Sequence, residues 1–283
     1  MSLEMEGIQF VSVHGGHSGE FCDHADDTLE AVVEAYIRRG FSWVGITEHV
    51  PAASDALRFP DEVAAGISAE FQQRRFARYI AACRELQGRY ADKIRIYVGM
   101  ETEAWRGYET FIPELVRRYS PDYLVGSVHH VADMCIDYSE TLYGEAARAL
   151  GGVDTLYERY FDLQLEMIER LRPAVVGHFD LIRIYDPDYR ERLEKPAIRQ
   201  RVLRNLRRIK DLGAILDLNL RALYKGAEEP YISRSILREA KALGIPVVPG
   251  DDSHGVSSVG LHMEEGIRVL KEMGFDTRWK RPA

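Results

Sequence analysis

Nine histidines are spread over the 283 residues, and seven of them share one kind of place. His14 and His17 follow the apolar run 8–13, with His24 a few residues on. His49 follows run 41–47, His129 follows 123–128, His178 follows 174–177, and His254 comes soon after 245–249. Carboxylates stand beside them: Glu48, Glu101 and Glu103 past run 94–99, Asp180, Asp251 and Asp252. The run 214–218 is followed by Asn219 and Arg221. Imidazole with carboxylate is the donor set of Zn, Fe or Mn. One ion takes three or four protein ligands, so about nine candidates suit two or three ions sharing a bridging carboxylate. Such a cluster turns water into hydroxide at neutral pH and neutralises a phosphoryl group, which is the chemistry of phosphoester hydrolysis. A lone histidine at a strand end is more often a polar core residue. Seven imidazoles packed at one point with no cation would leave buried nitrogens unpaired.

The seven apolar runs are short, rich in Val and Ile, and mostly not alternating, as strands buried on both faces are. Between them lie helical patterns over 28–39, 68–90, 154–171, 196–212, 233–243 and 264–273. Thr28 is placed to cap the first of these and Gly40 to end it. Strand and helix in sevenfold alternation predict a parallel α/β barrel short by one unit, or open. Strand ends of such a barrel converge on one face, where active sites form. Segment 51–66 follows a strand and is a lid candidate. Segment 133–152 has no strand pattern and reads as a surface excursion.

Hydrophobic residues make up 46% and charged residues 29%, which excludes a disordered or fibrous chain. The net charge of −8 argues against a nucleic-acid partner. No apolar run reaches membrane-spanning length, so no membrane partner is expected. Residues 1–3 read partly as a cloning remnant, and the acidic start is unlike a signal peptide. Three widely spaced cysteines form no disulfide framework and suit a reducing, cytoplasmic setting. Cys22 lies among the candidate ligands and is either a thiolate ligand or, the favoured reading, a small buried thiol. The arginines of 196–212 read as the solvated face of an outer helix. Trp43 reads as core and Trp105 as lining the pocket mouth. The partner expected is a small-molecule phosphoester, and a homo-oligomer is left open.

The ordered motifs GITEH (45–49), GMETE (99–103), GSVHH (126–130), VGHFDLI (176–182) and GDDSH (250–254) resemble the PHP (polymerase and histidinol phosphatase) superfamily. The segment Glu20-Phe21-Cys22-Asp23-His24 is similar to the monofunctional histidinol-phosphatase branch. The resemblance covers the whole chain and implies one domain over 1–283. It implies a distorted (β/α)7 TIM-like barrel with two or three divalent ions. The implied metal ligands are His14, His17, His24, His49, Glu101, His129, His178, Asp252 and His254, with Glu101 bridging. The implied activity is hydrolysis of a phosphomonoester by a metal-bridging hydroxide, histidinol phosphate being the favoured substrate in histidine biosynthesis. Asp252, which could also pass a proton to the leaving alkoxide, and His254 are the implied catalytic groups. Arg183 and Arg221 are phosphate-clamp candidates, with paired rim charges as the alternative. His130 and His262 are read as structural.

Three departures bear on the site. The family opens His-x-His, whereas this chain has His14-Gly15-Gly16-His17. One extra residue flips the second imidazole to the other face of a strand unless the glycines form a bulge. Asp251 stands where a small residue is usual and is expected to add negative charge beside the site. Tyr224 replaces an arginine in the segment after run 214–218. Two further functions fit the same ligands: a PHP phosphodiesterase or nuclease acting on nucleotides, and a non-catalytic metal-binding barrel.

Overall fold

The computed structural model describes residues 7–283. The opening residues 1–3 and most of the acidic start lie outside the described residues. Nine strands are present in this region: β1 Phe10–Ser12, β2 Phe41–Ile46, β3 Arg95–Glu101, β4 Tyr123–Gly126, β5 His130–Val131, β6 Met134–Cys135, β7 Val175–Val176, β8 Ile215–Asn219 and β9 Val247–Gly250. Seven form one sheet in the order β1-β2-β3-β4-β7-β8-β9, with every pairing parallel. The sheet nearly closes on itself. The Val13 amide donates to the Pro249 carbonyl at 2.9 Å, and the Asp252 amide to the His14 carbonyl at 2.9 Å. This is the seven-stranded barrel that the apolar runs predict.

The expected helices are all present, as Leu29–Arg38, Ala69–Arg89, Val153–Leu171, Pro196–Leu212, Arg234–Leu243 and Met263–Glu272. Thr28 accepts from the Ala31 amide at 3.2 Å and so caps the first. Several elements lie outside the expected pattern. Helix Tyr108–Tyr119 carries Pro113 in its interior, which hides its periodicity from the sequence. Segment 133–152 holds β6 and helix Glu140–Ala149 rather than only a loop. The β5–β6 hairpin turns at Ala132 and Asp133, both at positive φ, and its two-residue strands are too short to show a period. In helix Pro196–Leu212, Arg199, Arg201 and Arg204 pair with Glu239 and Asp162, so this face is solvated and ion-paired.

Alternate residues of the strands point into the barrel. Val11, Trp43, Tyr97, Tyr123, Val125, Val175, Ile215 and Val248 fill its lower interior as a separate apolar cluster. Trp43 is core, as expected; Trp105 is buried against Phe111 rather than standing at the main pocket's mouth. Two residues beyond Trp43, Tyr97, Val175 and Val248 stand the glycines Gly45, Gly99, Gly177 and Gly250. A Cβ on Gly45 would sit 1.7 Å from the Tyr123 hydroxyl, and one on Gly250 would sit 2.1 Å from Asp217 Oδ1. The glycine layer therefore makes room for buried polar groups above the apolar floor.

Gly45→Ala is expected to destabilise the protein by at least about 2 kcal/mol, since neither backbone nor ring can retreat in a packed barrel. Gly88→Ala, in an open helical position, is expected to be neutral or to stabilise by about 0.5–1 kcal/mol. Thermal unfolding of the two variants checks this; equal shifts would contradict the packing account.

Candidate metal centre

Glu101, the last residue of β3, is buried at the centre of the polar layer. Its Oε2 lies 3.1 Å from His14 Nε2, 3.2 Å from His49 Nδ1 and 3.7 Å from His17 Nε2. Its Oε1 lies 2.9 Å from His178 Nε2 and 3.2 Å from His129 Nε2. Asp252 Oδ1 is 3.3 Å from His17 Nε2 and 3.6 Å from His254 Nδ1. His24 is the most exposed member, with its ring 5.3 Å from that of His49 and 5.1 Å from that of His254. The structure thus brings all nine sequence-predicted ligands to one point.

These residues fit metal ions. His14 Nε2, both nitrogens of His17, His49 Nδ1, His178 Nδ1 and Glu101 Oε2 are buried without a hydrogen-bond partner. Such groups are costly unless something polar fills the space between them. Ligand atoms within 4.8 Å of one another occur in several sets, among them His14 with Glu101 and His178, and His14 with His17 and Asp252. A further set joins Cys22 to His17, His49 and His254. The Cys22 thiol is buried, and burial pushes its pKa well up, as a small core thiol requires.

A second layer of carboxylates orients the imidazoles. Asp217 Oδ2 is 2.9 Å from His14 Nδ1, Glu103 Oε1 is 2.7 Å from His129 Nδ1, and Glu48 Oε2 is 3.3 Å from His17 Nδ1. A carboxylate on one ring nitrogen fixes the tautomer and leaves the other nitrogen as a donor to a cation. Asp217 lies inside run 214–218 and is invisible as a site residue unless the two-residue period is followed inward from Asn219. His130, expected to be structural, also touches this layer, with Nδ1 3.2 Å from Glu103 Oε2. His262 lies apart, near Glu265.

The His14–His17 spacing is resolved by where β1 stops. The strand ends at Ser12, so alternation does not apply to either histidine. The glycines act through contact rather than through a bulge of their own. A Cβ on Gly15 would be 2.3 Å from the Gly45 carbonyl, and one on Gly16 would be 2.5 Å from Val32 Cγ1. Asp251 does not add charge to the pocket, contrary to expectation. It is turned away, accepting from the hydroxyls of Ser12 at 2.5 Å and Tyr36 at 2.8 Å and from the Gly260 amide at 2.7 Å. Asp252 takes the left-handed conformation, φ 45°, which swings its carboxylate back to the centre.

Charge follows from this packing. Burial works to raise the Glu101 carboxyl, but His14, His49 and His129 outweigh it and hold it well below the usual range. Burial likewise opposes Glu103, which the imidazole of His129 draws down to about 2. Burial lowers His49 and His254, keeping them readily neutral. His17 goes the other way: Asp252 and Glu48 overcome burial and raise it to about 9.

Above the centre lies a pocket of about 280 Å³. Arg221 and Lys225, from the short helix Arg221–Tyr224 and its cap after β8, line it, and segment 51–66 brings Phe59 and Asp61 to its wall. Arg183 is not brought to the pocket. Its guanidinium is buried, bonded to Asp180 and to the carbonyls of Glu229 and Pro230, and stacked on Tyr189 and Tyr231. Its sequence position suggests a clamp because sequence distance from His178 does not reveal which way the chain turns after β7. Arg58 is likewise held by backbone carbonyls outside the pocket. Tyr224 is half-exposed beneath the Arg221 guanidinium at 4.6 Å.

A family model for the PHP domain matches residues 15–221. The chain belongs to the PHP family. That match stops short of His14, Asp252 and His254, which the barrel geometry adds to the centre. A relative, the "Probable histidinol-phosphatase" of Schizosaccharomyces pombe, is 34% identical over 94% of this chain and 87% of its own. A crystal structure of a candidate histidinol phosphatase from Listeria monocytogenes superposes with a TM-score of 0.80 at 25% identity, covering 90% of this chain and 99% of its own. The histidinol phosphate phosphatase of Lactococcus lactis, complexed with zinc, L-histidinol and phosphate, shares the fold, with a TM-score of 0.71 at 20% identity over 94% of each chain.

Two outcomes are expected of metal titrations. Asp217→Asn should lower zinc affinity by about 10–100-fold, measured by competition with a chromophoric chelator. Zinc affinity of the wild type should rise with pH up to about 9, because a proton on His17 competes below that value and not above it. An affinity indifferent to both would contradict the assignment of these imidazoles as ligands.

Proposed function

We propose that this PHP-family protein is a metal-dependent phosphomonoesterase that hydrolyses histidinol phosphate, with His14, His17, His24, His49, Glu101, His129, His178, Asp252 and His254 holding two or three divalent ions. The observation that carries this reading is the carboxylate of Glu101 among five imidazoles, four of which, His14, His17, His49 and His178, have a buried nitrogen without a hydrogen-bond partner. The names of the S. pombe and L. lactis relatives, and the zinc, histidinol and phosphate held by the latter, support it. Bound ions of this class activate water at neutral pH and neutralise phosphoryl charge.

The chain's own groups do the rest. Arg221 and Lys225 bind the phosphoryl oxygens from the pocket wall, the Arg221 guanidinium offering a planar fork of donors. Asp252 is fixed by the Asn219 amide on Oδ2 at 3.1 Å, leaving Oδ1 to take the proton of the attacking water and return it to the leaving alkoxide. His254 is fixed by its Nδ1 at 2.9 Å from the Asp252 carbonyl, so Nε2 is the free nitrogen. Phe59 and Tyr231 cover the sides and limit the water around the reacting ester. We read the chain as one domain because a single apolar core joins the helices from both ends of the described residues. No helix among the described residues is long and apolar enough to cross a membrane.

Phosphate release from histidinol phosphate with added Zn or Mn is expected. His178→Ala and Asp252→Asn should each lower kcat by more than the roughly 10–100-fold typical of an outer-layer change. Arg221→Ala should act mainly on KM. Faster turnover of a bis-aryl phosphodiester than of every monoester would favour the diesterase alternative; a pure protein indifferent to metals would favour neither.

A further inference from the structure

Buried tyrosines in this protein either bond their hydroxyls or seal them off. Tyr36, Tyr79, Tyr90, Tyr123, Tyr157 and Tyr160 donate to protein oxygens. The hydroxyls of Tyr97, Tyr108 and Tyr143 are unpartnered but closed to solvent. Tyr231 does neither. Its hydroxyl makes no hydrogen bond among the described residues and is not sealed, although the residue as a whole is only 4% exposed. Tyr231 lines the pocket above the metal centre, so the pocket is where this hydroxyl opens. A buried phenol ordinarily has a partner, and here the partner has to come from the pocket.

The ring is held in place from several directions. The Arg183 guanidinium lies 4.5 Å over its face and donates to the carbonyls of Glu229 at 2.9 Å and Pro230 at 2.8 Å, just before it in the chain. The Tyr231 amide donates to the Asn219 carbonyl at 3.1 Å, and its carbonyl accepts from the Asn219 amide at 2.5 Å. Asn219 also serves the site directly. Its Oδ1 accepts from the Arg221 amide at 3.0 Å, and its Nδ2 donates to Asp252 Oδ2 at 3.1 Å. On its other side the Tyr231 ring is 6.4 Å from that of His178. Tyr231 is thus fixed to the residue that anchors Arg221 and Asp252, and stands beside a ligand of the centre. A phenol is a neutral donor near pH 7, and a phosphoryl group brings in strong acceptor oxygens.

We propose that the Tyr231 hydroxyl donates a hydrogen bond to a phosphoryl oxygen of the bound ester, with Arg183 as the positioning residue that holds its ring. This role rests on the phosphomonoesterase reading. The test uses the metal-loaded full chain with Tyr231→Phe, and Tyr97→Phe as a control that also removes a buried hydroxyl. Hydrolysis of histidinol phosphate is measured, with inhibition by inorganic phosphate and by histidinol. Tyr231→Phe should raise the inhibition constant of phosphate by about tenfold, the scale of one buried hydrogen bond, and lower kcat/KM by at least as much. It should leave zinc content and inhibition by histidinol unchanged. Tyr97→Phe should match the wild type. Arg183→Gln should also weaken phosphate binding, and should add less than its own factor on top of Tyr231→Phe. Phosphate inhibition unmoved in Tyr231→Phe would overturn the assignment alone, as would a change confined to histidinol. Equal losses in Tyr231→Phe and Tyr97→Phe would overturn it too, since general loosening acts that way. Fully additive effects would overturn the role of Arg183. A wild type that releases no phosphate from the ester would overturn the phosphomonoesterase reading and the assignment with it.

Discussion

A carboxylate ringed by five imidazoles at the top of an apolar barrel dictates most of what surrounds it. Glu101 is almost fully buried, and a buried charge is expensive unless opposite charge reaches it. In the metal-free protein that charge comes as protons: Glu101 and Asp252 pull His14 up, while Asp252 and Glu48 pull His17 up, against burial in both cases. Divalent ions supply the same charge in less space, through nitrogens that would otherwise be orphaned. Ion uptake and proton release are thus two sides of one balance. The second-layer carboxylates Asp217 and Glu103 belong to it as well, since each holds an outer ring nitrogen and aims the inner one, while Glu48 adds its charge beside His17.

The barrel is built to admit this polar layer. On β3 and β9 a large side chain fills the lower interior, a glycine follows and a ligand comes next, each step two residues along the strand. Tyr97, Gly99 and Glu101 show the sequence on β3, and Val248, Gly250 and Asp252 show it at β9. Gly250 lets Asp217 approach, and Asp217 in turn holds His14. The same order explains why Asp251, one residue off the inward register, points into the helix layer and meets Tyr36.

Much of this is legible in the sequence because strand ends are marked by abrupt change from Val and Ile to His, Glu and Asp. The seven runs, the barrel and the convergence of the nine ligands follow from that pattern. What does not follow is anything set by loops or by direction after a strand. Arg183 and Arg221 look equivalent in the sequence, yet one is locked under Tyr231 and the other lines the pocket. Asp217 is hidden by lying inside an apolar run. Lys225, Asp61 and Asp137 come from a short helix cap, the five-residue helix Pro60–Ala64 and a hairpin exit, all too short to show a period. The His14–His17 question turns on a strand ending at Ser12, a boundary finer than hydrophobic pattern can fix.

The central claim is that the imidazole cage is a metal centre. Elemental analysis of protein purified without chelators, and again after chelation and reloading, measures it directly. The account predicts two or three Zn, Fe or Mn ions per chain, lost on chelation and regained together with thermal stability. A folded protein that holds no ion in either state, with its unfolding temperature unmoved by Zn or Mn, would contradict it.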